Sequence, residues 1–296
     1  MSAVEGPAPR PRRSVLYMPG ANERVLVKAE ALPADALILD LEDAVAPDAK
    51  GEARERVCEA ASSGRYGRRE VTIRINGAGT AWHDDDLRAA AAAGPAAVVV
   101  PKVDSAGAVH GIDKALEAGG APDGTAIWAM LETPAATLRA EDICAASERL
   151  TVLVMGTNDL AKELQAEHVP GRQPLLAALG LCLLAARAAG KVILDGVYND
   201  IADADGFEAE CRQGRRLGFD GKTLVHPNQL EPCNRVFAPP ADEVERAGRI
   251  IEAFEQAEAE GRGVVTVDGR MVENLHVEQA HRTLALAAAI DALAGG

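Results

Sequence analysis

Residues 126–164 read AIWAMLETPAATLRAEDICAASERLTVLVMGTNDLAKEL, and they hold one structural unit twice. Each copy opens on an apolar run, AIWAMLE (126–132) and TVLVMG (151–156), short enough for a strand buried in a parallel sheet. Each run stops at a break, Thr133-Pro134 in the first copy and Gly156-Thr157-Asn158 in the second, and a helical pattern follows. A strand leading into a helix, repeated, is the βα unit of a parallel sheet. Each break also delivers an acid, Glu132 and Asp159.

The same alternation extends in both directions. Apolar runs SVLYM (14–18), ALILDLED (36–43), VTIRIN (71–76) and AAVVVPKV (96–103) come before, and KVILDGVY (191–198) and GKTLVHP (221–227) come after. Ala-rich helical stretches separate them. Eight strands, each with a following helix, predict a (β/α)8 TIM barrel. A doubly wound open sheet stays as the alternative, since spacing does not show closure. After Pro239-Pro240 the pattern changes to an amphipathic helix (241–261), a short GVVTVDGRMV segment (263–272) turning at Asp268-Gly269, and a closing helix from about Val277. The reading is a barrel over 1–238 and a C-terminal helical and hairpin extension over 239–296.

Bulk composition narrows the function. The 296 residues are 48% hydrophobic and 26% charged, the usage of a globular chain. No apolar run approaches the roughly 18 residues of a membrane span, and SVLYMPG after the N-terminal arm (1–13) is broken too early for a signal-peptide core. A cytoplasmic protein with a frayed arm is expected. The formal net charge of −14 argues against nucleic acid, whose phosphates need a basic face. It leaves room for a small anion held by a few local cations. Five scattered cysteines without a C-x-x-C pair predict reduced, buried thiols rather than disulfides or structural zinc. P-loop, dinucleotide and G-x-S-x-G signatures are all lacking.

In a (β/α)8 barrel the chemistry sits at the C-terminal strand ends. The polar residues that fall there are Asp40, Glu42, Asp43, Arg74, Asn76, Lys102, Glu132, Asp159, Asp195, Tyr198 and His226. Several carboxylates at one mouth repel one another unless a cation neutralises them. Oxygen donors with little His and no Cys point to Mg²⁺, which keeps waters and accepts substrate oxygens. Glu132 and Asp159 are the candidate ligands, with Glu42 and Asp43 behind them. The competing reading is that both acids cap helices. Arg74 alternates with Ile73 and Ile75, so it faces the mouth and can hold a carboxylate or oxyanion, or else pair with the acids of the second strand. Asp268 reads as part of a type I′ hairpin turn, a structural role.

Taken in order, RRSVLYMPGANERVL, LILDLEDAV, VTIRING, VVVPKV, LETP, VLVMGTNDLAKEL, GVYND, GFDGKTLVHPNQ and DGRMVENLHVEQA resemble the citrate lyase β-subunit-like family, from about residue 12 to about 285. That family includes malyl-CoA and citramalyl-CoA lyases and malyl-CoA thioesterases. The resemblance implies Mg²⁺ on Glu132 and Asp159, Glu42 and Asp43 in support, and Arg74 at the substrate oxygens, with the Gly156-Thr157-Asn158 turn contacting substrate. It implies a homotrimer or hexamer in which the C-terminal segment lids a neighbour's site and brings Asp268 there as acid/base, against the structural reading of that residue. CoA phosphates would meet Arg13, Arg24 and Lys102. The implied activity is a lyase that cleaves a 3-hydroxy-acyl-CoA to an acyl-CoA and a 2-oxo acid, glyoxylate or pyruvate. One alternative is a (3S)-malyl-CoA thioesterase, and another is a citrate lyase β subunit working in a complex.

Overall fold

The computed structural model describes residues 9–261 and 263–295. Strands β1 (Ser14–Pro19), β2 (Ala36–Asp40), β3 (Glu70–Arg74), β4 (Ala97–Val100), β5 (Ala126–Leu131), β6 (Leu150–Met155), β7 (Val192–Asp195) and β8 (Gly221–Leu224) pair in parallel, each with the next. β1 also pairs β8, Val15 beside Thr223, and the sheet closes. The open-sheet alternative is thereby excluded.

Period-two alternation sorts the side chains. Val15, Ile38, Val99, Trp128, Met130, Val152, Val154 and Leu194 fill the barrel, while Leu16, Leu37, Leu39, Ile73, Val98, Leu131 and Leu153 lie under the helices. Near the N-terminal ends of the strands the Arg12 guanidinium sits 5.6 Å from the Trp128 ring centre and pairs with Glu70 at 2.6 Å. Gly221 has no room for a side chain, because a Cβ there would fall 1.8 Å from the Arg12 carbonyl. Arg12 and Arg13 are therefore fixed, not frayed; residues 1–8 of the expected arm lie outside the described residues.

The helices of the barrel are α1 (Glu23–Lys28), α2 (Lys50–Ser62), α3 (His83–Ala93), α4 (Ala106–Ala118), α5 (Pro134–Leu138), α6 (Ala140–Ala145), α7 (Thr157–Leu164), α8 (Leu176–Ala188), α9 (Ala204–Leu217) and α10 (Leu230–Phe237). The stretch after β5 breaks into α5 and α6 at Arg139, whose backbone leaves the helical region. The stretch after β6 carries both α7 and α8. Local chemistry starts these helices: Thr133 Oγ1 accepts the Ala136 N–H at 3.0 Å with Pro134 next to it, and Ser105 and Asp203 cap α4 and α9 in the same way.

Residues 12–237 form one unit and residues from 238 onward belong to another. The second contains α11 (Ala241–Ala259), β9 (Val265–Val267), β10 (Arg270–Val272) and α12 (Asn274–Ala294), packed around Ile250, Phe254, Val267, Val272 and Ala280. The last helix starts at Asn274, three residues before the expected Val277. Asp268 and Gly269 both have positive φ, 49° and 75°, as the hairpin reading requires.

Candidate active site

Register places Asp40 of β2 beside Arg74 of β3, both facing the barrel mouth. The guanidinium forks onto Asp40, Nε to Oδ1 at 2.6 Å and Nη2 to Oδ2 at 2.7 Å, and its Nη1 reaches Glu42 at 2.8 Å and Asp43 at 3.6 Å. It lies 4.7 Å from the Tyr17 ring centre. Burial alone would lower the Arg74 pKa, but Asp40 holds it well above the ordinary value, so the cation is permanent. Arg74 thus pairs with the acids at the end of β2, one of its two sequence readings, and it also lines the mouth.

Glu132 follows the last residue of β5 and is buried, 2% exposed. It does not cap α5, since Thr133 does. Its Oε1 accepts the backbone N–H of Lys102 at 2.7 Å. Lys102 has φ 51°, a left-handed conformation that costs a residue with a Cβ about 1–2 kcal/mol, and the turn is held despite that strain. The other face of Glu132 rests on Gly156, where a Cβ would lie 2.2 Å from Oε2 and 2.3 Å from the Glu132 Cβ. Asp159 stands in the first turn of α7, a favourable place for negative charge. Its Oδ1 is 3.4 Å from the Lys102 ammonium, and Gly156, not Asp159, occupies the N-cap position.

Burial is the main force on the acids here. It raises Glu132 to about 7, against the Lys102 N–H and with help from the charge of Asp159. It raises Glu42 to about 8, against Arg74 and with help from Asp43 and Glu132. A cation would relieve these acids. Among the described residues no group of three or more His, Cys, Asp or Glu is arranged to hold a metal. Two carboxylates opening on a cavity of about 360 Å³ nonetheless fit Mg²⁺, which takes one or two protein carboxylates and fills its other positions with water and substrate oxygens. Glu132 and Asp159 are the two that would hold it.

Other residues from the sequence fall as follows. Gly156, Thr157 and Asn158 line the cavity with Asp40, Asp43, Tyr17 and Thr223. A larger trough of about 670 Å³ adjoins it, sharing Thr157, Asn158, Val197 and Asn199, and the reciprocal amide pair Asn158–Asn199 (2.8 and 3.1 Å) stands at the division. Lys102 is half-exposed beside Asp159, and Arg24 is exposed in α1. Arg13 precedes β1, at the opposite end of the strand from the mouth, and its guanidinium is committed to Asp35 at 2.8 and 2.9 Å. It is not part of this site.

Asp195 also leaves the set. Leu194 faces the barrel and Asp195 faces out, fully buried against Arg172 Nη1 (2.6 Å) and Lys222 Nζ (3.3 Å). Asn76 turns under the strand ends to Asp86, the Leu41 carbonyl and Lys50. Tyr198 donates to Asp203, and His226 Nδ1 caps the turn that follows β8. Asp268, half-exposed in the second unit, accepts from Arg249 Nη2 at 2.9 Å.

Two neighbours of the site are not among the residues expected from the sequence. Tyr17 lines the cavity, and the alternation of SVLYM already puts it on the same face as Val15. Lys50 looks like a surface helix residue, yet its buried ammonium donates to the Leu41 and Glu42 carbonyls and to Asn76, each at 2.7 Å, clamping the loop that carries Glu42. Nothing in the local sequence signals that.

Residues 13–227 match the HpcH/HpaI aldolase/citrate lyase family. The chain belongs to the HpcH/HpaI aldolase/citrate lyase family. Within that family it is 52% identical over 282 residues to the (3S)-malyl-CoA thioesterase of Cereibacter sphaeroides, covering 95% of this chain and 96% of the relative. It is 38% identical over 283 residues to the citrate lyase subunit beta of Escherichia coli, covering 94% of each. Among solved structures it is similar to the protein CitE of Mycobacterium tuberculosis in complex with magnesium, acetoacetate and coenzyme A, with TM-score 0.75, 28% identity, and coverage of 93% of this chain and 97% of that one. It is thus an enzyme of the citrate lyase β-like kind. No helix among the described residues is long and apolar enough to cross a membrane.

Proposed function

We propose that the protein is a Mg²⁺-dependent hydrolase that releases free CoA from a malyl-CoA-type thioester. The observation that carries this is the pair Glu132 and Asp159 opening on one cavity, in a chain 52% identical over nearly its whole length to a malyl-CoA thioesterase. Hydrolysis therefore takes precedence over the carbon–carbon lyase expected from the sequence.

Bound there, Mg²⁺ would supply a Lewis acid for the substrate oxygens. The protein's own groups account for the rest. Arg74 spends three N–H groups on Asp40 and Glu42 and keeps others for the carboxylate or the developing oxyanion. Asp40 and Glu42 hold that fork in one orientation. The turn at Gly156, Thr157 and Asn158 borders the substrate. A cavity of about 360 Å³ takes the acyl end only, so the CoA tail lies outside it, where Arg24 and Lys102 offer positive charge to its phosphates. Water must be activated at the thioester carbonyl, and we assign that to Asp268, brought by the C-terminal unit of a neighbouring subunit in a homotrimer or hexamer. Its exposed place at a hairpin tip supports the assignment.

The lyase reading keeps one argument, the 38% identity to a citrate lyase subunit beta. A single assay separates the two. With purified protein, Mg²⁺ and malyl-CoA, thiol and glyoxylate are followed together: thiol without glyoxylate supports hydrolysis, and glyoxylate without thiol makes the protein a lyase. Silence on CoA thioesters with capture of an acyl carrier protein would make it a subunit of a complex.

A further inference from the structure

Tyr17 lines the mouth but takes no part in the hydrolysis proposed for it. Its ring projects from β1 into the barrel, packed on Val15 and its neighbours, and lies against the Arg74 guanidinium, 4.7 Å from ring centre to Cζ. The hydroxyl crosses towards β5, where its acceptor is the Met130 thioether at 3.9 Å, a weak one. Met130 is two residues before Glu132 on the same face of β5, so the phenol forms the floor beneath a carboxylate assigned to the metal. A phenylalanine would give the same ring, the same contact with Arg74 and the same filling of the barrel. The oxygen is the only difference, and with a thioether as its acceptor in the protein the hydroxyl keeps its donor capacity for a partner in the cavity that it lines.

We propose that the Tyr17 hydroxyl is a substrate-binding donor on the floor of the mouth, and that it takes an oxygen from the hydroxy-acid or oxo-acid end of the thioester. That end must enter first, because the cavity of about 360 Å³ excludes the CoA tail. Burial raises the phenol's pKa above its ordinary 10.0, so it remains a donor at every pH at which the protein works and does not serve as a base. The inference rests on the functional reading above only for the identity of the ligand.

The test is Tyr17→Phe in the full chain, with two readouts. Binding of malate in the presence of Mg²⁺, measured by titration calorimetry, should weaken about tenfold, the effect of one well-placed hydrogen bond to a charged acceptor, while the melting temperature stays within about 1 °C of wild type. Thiol release from malyl-CoA should lose a similar factor in kcat/KM. Malate bound equally by both proteins, or by neither, overturns the inference; so does a fall in melting temperature with unchanged malate affinity. A wild type that binds malate but releases no thiol overturns the hydrolase reading instead, and the malate comparison still decides Tyr17.

Discussion

Gly156→Ala is the smallest change that should break the site. An added Cβ would lie 2.2 Å from Glu132 Oε2 and 2.3 Å from Glu132 Cβ, where ordinary contacts begin near 3.4 Å. The carboxylate could swing aside, but its Cβ is fixed to the backbone at the end of β5. The ends of β5 and β6 must therefore part by about 1 Å, an overpacking that costs about 1–3 kcal/mol. In a barrel of this size that lowers the melting temperature by about 2–10 °C. Glu132 is also pulled from the Lys102 N–H that orients it. An error of about 1 Å in a reacting group can cost about a hundredfold in rate. Scanning calorimetry and Mg²⁺ titration of thiol release would measure both effects. A variant that melts within 1 °C of wild type and saturates at the same Mg²⁺ concentration would refute the cradle.

Three further outcomes follow from the charges. Asp195→Asn leaves Lys222 and Arg172 short of their buried partner and should cost about 3–5 kcal/mol at neutral pH by urea unfolding; a loss under 1 kcal/mol would contradict the pairing. Burial opposes ionisation of Asp195, yet Lys222 and Arg172 hold its pKa below 3.8, so its stabilisation is full above that pH and is lost as pH falls through the folded value. Lys222, likewise held above 10.5 by Asp195 against burial, keeps its contribution below that pH and loses it as pH rises through the folded value. The acid limb of the wild-type stability profile below about pH 4 should therefore flatten in the Asn variant. Arg74→Lys replaces a fork by a point charge, and thiol release should fall at least about a hundredfold with about 2 kcal/mol of stability lost; activity within threefold of wild type would exclude a role for the fork. Glu132→Gln keeps the volume and removes the charge, so half-saturation by Mg²⁺ should rise at least about tenfold, and an unchanged value would remove Glu132 from the metal.

The fold was legible because buried parallel strands write themselves as short apolar runs ended by Thr-Pro, Pro-Gly or Gly-Thr breaks. Strand-end logic also found Glu132, Asp159 and Arg74, which the structure brings to one cavity with Asp40 and Asp43. Asp195 failed the same logic by parity: with Leu194 inside the barrel, its neighbour has to face the helices. Arg13 failed by polarity, since a residue before a strand lies at the wrong end of it. Lys50 was invisible because its partners are carbonyls of a loop whose path no local pattern specifies. Tyr17 could have been read from alternation, but an aromatic on the inner face looks like core until the cavity above it is seen.

Hydrolysis requires that water attack the thioester carbonyl. Incubating the protein with malyl-CoA and Mg²⁺ in oxygen-18 water and analysing the products by mass spectrometry tests it directly. Free CoA and malate are expected in equal amounts, each malate carrying one heavy oxygen in the carboxylate that was the thioester. Acetyl-CoA and glyoxylate, with no labelled malate, would contradict it.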